Sequence, residues 1–368
     1  MIEEAARPQD KTIVLGLATG LGALAAVIAN PISGHLSDRY ANRANRRVFV
    51  LVGMVSGALF LFVLGVQTSI VGITVLWVLC QVTLNIAYAS LAASVVDHVL
   101  PNRWATVWGY IGMAQSLGLV AGFVLVSVLF TSVRGGLLTI TCIYAATLTP
   151  FILVIGPLPR IVSRPSPGRN GRFLMVLSHD RGFRIVWAGR FLVVLANATA
   201  LLYLYYYLQD VIHYSKPGEG QLILVAISTA ATAVTAVLFG RHADKSGNYR
   251  LQVIVATVAM AIAGFALAII STWSMALAVA VILGTGYGVF ASAGQALSTT
   301  VLPDGRTVAR DLGIINVANT IPQVIGPPIA VLLIYLGAGY RGIFIFAASM
   351  ALFAAVIISR LDKPITLS

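Results

Sequence analysis

Gly240-Arg241-His242-Ala243-Asp244-Lys245-Ser246-Gly247, followed at a short distance by Arg250, stands between two long apolar stretches. An earlier copy of the same pattern, Gly34-His35-Leu36-Ser37-Asp38-Arg39, continues through Arg43 to Arg46-Arg47 and lies 206 positions upstream. In both, a glycine is followed four residues later by an aspartate and then at once by a basic residue. Each copy follows one hydrophobic segment and precedes another, so both read as charged hairpins between membrane-spanning helices. A pattern repeated at this distance implies two related halves joined in one chain.

Composition agrees. The 368 residues are 58% hydrophobic and 10% charged, where a soluble domain carries about 25% charged residues. Such a chain cannot cover its surface with polar groups, so it is a membrane protein. Stretches of about 20 apolar residues, enough to cross the hydrocarbon of a bilayer, recur at 12–33, 48–66, 70–96, 104–131, 136–157, 183–209, 220–240, 251–271, 274–298, 308–336 and 340–360. Helices are the expected element, because a helix satisfies its own backbone in lipid. The expectation is an all-α membrane protein with eleven transmembrane helices, five before and six after the segment 158–182. That segment contains Pro165-Ser166-Pro167-Gly168-Arg169 and reads as a flexible cytoplasmic linker. Its alternative reading is a lipid-binding or regulatory segment, since basic juxtamembrane clusters attract anionic lipid. The domains are then an N-terminal bundle over 1–157, the basic linker 158–182 and a C-terminal bundle over 183–368.

The net charge of +12 does not point to nucleic acid, because the basic residues sit in short loops between spans. Alternate loops hold nearly all of them, leaving only Arg7, Lys11, Arg134, Lys216 and Arg341 on the opposite side. By the positive-inside rule the rich side, and with it the C-terminus, is cytoplasmic. Eleven spans then put the N-terminus outside, although Met1–Lys11 contains no apolar signal segment. Cys80 and Cys142 fall inside apolar spans and read as small hydrophobes. No metal spacing, nucleotide loop or catalytic dyad is present, and the glycines at 16, 20 and 22 and at 284, 286 and 288 suit close helix packing. No cofactor, metal or enzymatic role is expected.

The doubled motif resembles the signature G-x-L-x-D-R-x-G-R-[RK] of the major facilitator superfamily, whose members have two six-helix bundles with the motif between the second and third helices of each. The resemblance implies a major-facilitator-like two-bundle fold working by alternating access. It also implies a conformational role for Gly34, Asp38, Arg39, Arg43, Arg46, Arg47, Gly240, Asp244, Lys245, Gly247 and Arg250. In the family this cluster clamps the halves in one conformation. In the first copy Asn45 stands where glycine is expected. Two spans precede Gly240 but one precedes Gly34, so the first helix of the family fold is expected to be absent, by truncation or as a natural variant. The long first arm resembles that of sucrose transporters and the related glycoside–pentoside–hexuronide symporters. So does Leu312-Gly313-Ile314-Ile315-Asn316 with Pro322-Gln323.

Polar residues inside spans are candidate substrate ligands. Gln81, Asn85 and Tyr88 share one helical face, as do Asn316, Asn319 and Gln323. Asn197, Gln295 and Tyr203 complete the set. Tyr203, Tyr205, Tyr206 and Tyr207 read either as an interfacial belt or as a stacking surface at an outer gate. Amides suit hydroxyl groups. A fixed anion is expected to fit less well, because Arg190, the basic residue nearest the interior, stands near a helix end where it can snorkel. None of the acidic residues lies in mid-span, so the sequence does not display a coupling group.

The reading is a secondary active transporter of a small polar solute, a sugar or glycoside, with protons as the implied coupling ion. Membrane lipid is the other partner, and a monomer in the plasma membrane with a cytoplasmic C-terminus is expected. A drug or metabolite exporter, or a non-transporting truncated membrane protein, are the alternatives.

Overall fold

The computed structural model describes residues 11–40, 46–124, 133–147, 180–269, 272–302 and 307–361, and within these the chain is helical. The helices are α1 (Lys11–Tyr40), α2 (Arg46–Val66), α3 (Ile70–His98), α4 (Trp104–Val124), α5 (Val133–Ala146), α6 (Arg181–Leu202), α7 (Leu204–Asp210), α8 (Pro217–Ser246), α9 (Tyr249–Ile269), α10 (Trp273–Val289), α11 (Gln295–Thr300), α12 (Val308–Tyr335) and α13 (Gly339–Ser359). A five-residue π segment, Phe290–Gly294, joins α10 to α11. Nine of the spans in the described residues are long and apolar enough to cross a membrane, with α10, the π segment and α11 forming one of them. The expected spans 104–131 and 136–157 are described in part, as α4 and α5. Of the expected linker 158–182, residues 158–179 lie outside the described residues.

Local chemistry sets the ends of these helices. Asp180 caps α6 by accepting from the Phe183 amide at 2.7 Å, Pro217 opens α8, and Gly247 closes it in the left-handed conformation at φ 64°. There, as at C-caps generally, glycine avoids the Cβ clash. The sixth expected span is interrupted. Tyr203 leaves helical geometry between α6 and α7, which turns Tyr207 inward. Tyr207 is fully buried, donates to the Leu267 carbonyl at 2.8 Å and meets Phe344 edge-on. Tyr205 and Tyr206 stay exposed. The four tyrosines are therefore not one belt or one gate.

The motifs correct a second expectation. Gly34–Arg39 and Gly240–Ser246 are not hairpin loops; they form the last turns of α1 and α8. A helix interior accepts charged side chains once they find partners, and both motifs do.

By contacts the chain divides into two compact units. The first comprises Met1–Val99, Leu119–Gly168 and Asp304–Thr320, and the second Leu100–Gly118, Arg169–Pro303 and Ile321–Ser368. In the first, α1 and α2 both pack on α3, and α5 packs on α2. In the second, α8 packs on α10, α9 on α10 and α13, and α6 on α13. Small residues make these crossings close. A Cβ at Gly53 would stand 2.7 Å from the Ala87 amide nitrogen and the Thr83 carbonyl, and one at Gly284 would overlap the Ser228 carbonyl. Thr232 also donates to the Gly284 carbonyl at 3.0 Å.

Gly284→Ala is therefore expected to destabilise the protein by about 1–3 kcal/mol, the usual cost of overpacking. A lowered thermal unfolding midpoint in detergent would report it. Gly118→Ala, whose new methyl meets nothing within 4 Å, is the control and should leave the midpoint unchanged or slightly raised. Equal effects of the two changes would contradict the packing account.

Candidate functional site

Asp38 lies near the end of α1. Its carboxylate accepts the backbone N–H groups of Ala309 at 3.2 Å and Arg310 at 2.9 Å. These amides belong to the first turn of α12, where backbone donors have no partner within their own helix. Asp38 thus completes the N-terminus of a helix 271 residues away in sequence, and its negative charge meets the positive end of that helix dipole.

Asp244 does the same at the end of α8. It accepts from the Ala105 and Thr106 amides at 3.0 and 2.7 Å, in the first turn of α4. The two contacts are built alike. A Cβ on Gly34 would overlap the Ala309 carbonyl, and one on Gly240 would stand 2.5 Å from the Ala105 carbonyl. One turn further in, Gly313 faces the Asn30 backbone and Gly109 faces the Ala236 backbone, each too close for a side chain. The glycine of each motif brings two backbones together, and the aspartate uses that proximity.

The counter-charges differ. Arg46, buried at the start of α2, donates from Nη2 to Asp38 at 2.9 Å, from Nε to Asp97 at 2.6 Å and from Nη1 to the Ser37 hydroxyl at 3.1 Å. Ser90 donates to Ser37 at 3.2 Å. Beside them Arg310 pairs with Asp311 at 2.8 Å, and Thr307 donates to the same carboxylate at 2.7 Å. Three buried carboxylates and two buried guanidiniums thus share the first unit. In the second unit the extra partner of Asp244 is neutral: the Tyr249 hydroxyl contacts it at 2.9 Å and the Pro101 carbonyl at 3.1 Å. Arg250 does not join Asp244; it donates to the Ser359 carbonyl at the end of α13, a favourable place for a cation. Arg39 and Lys245 are exposed, Arg47 is half-buried beside Arg46, and Arg43 lies outside the described residues.

The candidate substrate residues occupy different places. Asn85 receives a short hydrogen bond from the Asn30 amide and donates to the Gln81 carbonyl at 2.7 Å. Tyr88 is half-buried on the same helix. Asn319 donates to Asn316 at 2.9 Å, whereas Gln323 is exposed. Gln295 is buried directly after the π segment, Asn197 is exposed on α6, and Tyr203 caps that helix.

The sequence reading did not include Asn30, whose side chain is buried with one amide oxygen unpartnered. It also missed Ser37, Ser90, Asp97 and Tyr249, and the capped helix starts themselves. Ala105-Thr106-Val107-Trp108-Gly109 and Ala309-Arg310-Asp311-Leu312-Gly313 both set an alanine and a glycine four apart, a spacing that recurs elsewhere in the chain, as at Ala18 and Gly22 or Ala280 and Gly284.

A sequence profile of the Major Facilitator Superfamily matches residues 11–226 and 216–366. The chain belongs to that superfamily of membrane transporters. Among solved structures it is similar to the human organic anion transporter MFSD10 (TETRAN), with a TM-score of 0.77, 16% identity, and 96% of this chain and 86% of that one covered. It is similar also to a bacterial homologue of the iron transporter ferroportin in an outward-facing state, with a TM-score of 0.72, 18% identity, and 95% and 90% covered. At these identities the likeness is one of fold. No curated protein sequence matches the chain.

Arg46→Met would leave Asp38 and Asp97 buried without their shared cation. The expected cost is about 3–5 kcal/mol, that of breaking a buried ion pair from one side. Tyr249→Phe removes one neutral hydrogen-bonding group and should cost about 0.5–1.5 kcal/mol. Unfolding midpoints of the two variants test this order, and a larger loss for Tyr249→Phe would refute it.

Proposed function

We propose that this protein is a secondary active transporter that carries a small polar solute by alternating access. The observation that carries this reading is the pair of matching contacts in which Asp38 and Asp244 complete the first turns of α12 and α4. Such a contact suits a switch. When made, it satisfies backbone amides and a carboxylate together; when broken, both sides can be hydrated at a helix end. Repetition in both sequence halves gives two such contacts on the side that the loop charges mark as cytoplasmic, to be made and broken together. In this reading the halves 1–157 and 183–368 are the moving bundles, joined by the basic linker 158–182.

The solute is a sugar or glycoside, and the transporter belongs with the sucrose and glycoside–pentoside–hexuronide symporters. The long basic arm after Asp38, the Leu312–Asn316 and Pro322-Gln323 segments and the amides of Gln81, Asn85, Asn197, Gln295, Asn316 and Asn319 support this. Protons are the coupling ion. The protein works as a monomer in the plasma membrane with its C-terminus in the cytoplasm, as the charge of its loops favours. Export of a drug or metabolite is the second reading, because the structural neighbours differ in named cargo, an organic anion for one and iron for the other's relative.

The test uses a cysteine-free background with single cysteines at Thr74 and Ser94, near opposite ends of α3. Asp38→Asn keeps the shape but removes the charge. It is expected to speed alkylation at Ser94, the end nearer Asp97 and Arg46, and to slow it at Thr74, each several-fold, as fits a coupling of about 1–3 kcal/mol. Unchanged rates at both positions in a folded variant would sink the switch.

A further inference from the structure

Val234, Leu238, Arg241 and Lys245 follow one another on α8 at i, i+4, i+7 and i+11, which puts them on one helical face. All four are exposed. Over about 16 Å of helix this face passes from apolar to cationic, as a bilayer passes from acyl chain to headgroup. Helix α4 lies alongside, its backbone meeting α8 where Gly109 faces Ala236 and Gly240 faces Ala105. Tyr110, Ala114 and Leu117 form an exposed face of α4. Arg241 leans across to that face. It donates from Nη2 to the Tyr110 hydroxyl, and its guanidinium carbon is 5.7 Å from the centre of the ring. Arg103 is exposed in the turn before α4, and that turn packs on α8. His242 is exposed beside Arg241 and meets Phe239 edge-on. The motif's own carboxylate, Asp244, is engaged by two amides and the Tyr249 phenol.

We propose that Arg241 and Lys245 hold the phosphate of an anionic phospholipid, with Tyr110 beside it and an acyl chain along Leu238 and Val234. The site goes beyond the carriage of a solute and does not depend on which solute is carried. Its leaflet follows from the loop charges, which mark this end of α8 as cytoplasmic, the side on which anionic lipids concentrate. Orientation alone asks only for positive charge at this end and lets a long side chain run out to water. Arg241 instead turns onto an exposed aromatic ring of the neighbouring helix. Its bond to Tyr110 takes one donor of the guanidinium fork, and such a fork matches phosphate oxygens through paired hydrogen bonds. Lys245, one turn nearer the helix end, adds a second charge at headgroup level. A lipid seated there touches both α8 and α4, the two helices that Asp244 joins.

Dioleoyl phosphatidylglycerol and dioleoyl phosphatidylcholine, offered in equal amounts to the purified protein in detergent, are the probes. Native mass spectrometry counts the lipids retained. The protein is expected to keep phosphatidylglycerol with a preference of about tenfold, the scale set by two basic side chains at an anionic surface. Arg241→Gln with Lys245→Gln should lose most of that preference, and Lys245→Gln alone should lose part of it. Arg184→Gln with Arg360→Gln removes two exposed charges near the ends of α6 and α13 and should leave the preference in place. Unfolding midpoints in phosphatidylcholine alone should agree among these proteins, so that a lost preference is not a lost fold. Glycerol 3-phosphate, a phosphate without chains, should not displace the lipid. No preference in the unaltered protein, a preference that survives the Arg241 and Lys245 changes, an equal loss in the Arg184 and Arg360 pair, or displacement by glycerol 3-phosphate would overturn the site.

Discussion

The first turn of a helix has backbone donors that its own geometry leaves unsatisfied. In lipid or in a dry interface each such donor is costly. Here α12 and α4 have two of those donors satisfied by a carboxylate from another helix. Much else follows from this arrangement. The carboxylate must come close, so Gly34 and Gly240 lack side chains where the backbones touch. The carboxylate must also stay charged while buried, so Arg46 is drawn in beside Asp38, and Asp97, Ser37 and Ser90 are arranged around Arg46. The helices α1 and α8 extend through their motifs, and the aspartates reach their targets from the last turns.

The two copies solve the same problem with unequal means. Around Asp38 the partners are charged and lie in a setting from which water is nearly absent, with side-chain exposures of 5% for both Asp38 and Arg46. Around Asp244 the added partner is a phenol, and the neighbouring arginine is committed to the end of α13. Removing one member of the first set strands a charge; removing one from the second strands a dipole. The duplicated motif therefore carries two contacts built from different partners.

Much of this was legible in the sequence, and the gaps have physical causes. The aspartates, glycines and Arg46 stand out because charges and repeats are conspicuous in an apolar chain. Their targets do not, since the acceptors bind backbone amides, and an alanine and a glycine four apart are unremarkable among 34 glycines. The helical course of the motifs was hidden for a related reason: hydropathy alone breaks a span at its first charges, although α8 runs on to Ser246. Asn30 lies inside the expected span 12–33, and the structure places it with Pro31 within α1.

Helix α12 contains Pro322, Pro327 and Pro328, just past Thr320, the last residue of that helix grouped with the first unit. Proline brings no amide hydrogen, so three i→i−4 backbone bonds of this helix are not made. The rod that Asp38 holds at its tip is thus weakly laced along its middle, where fewer backbone bonds resist a change of curvature. Flexural stiffness is therefore uneven along this helix, with fewer backbone bonds past Ile321 than at the turn that Asp38 holds.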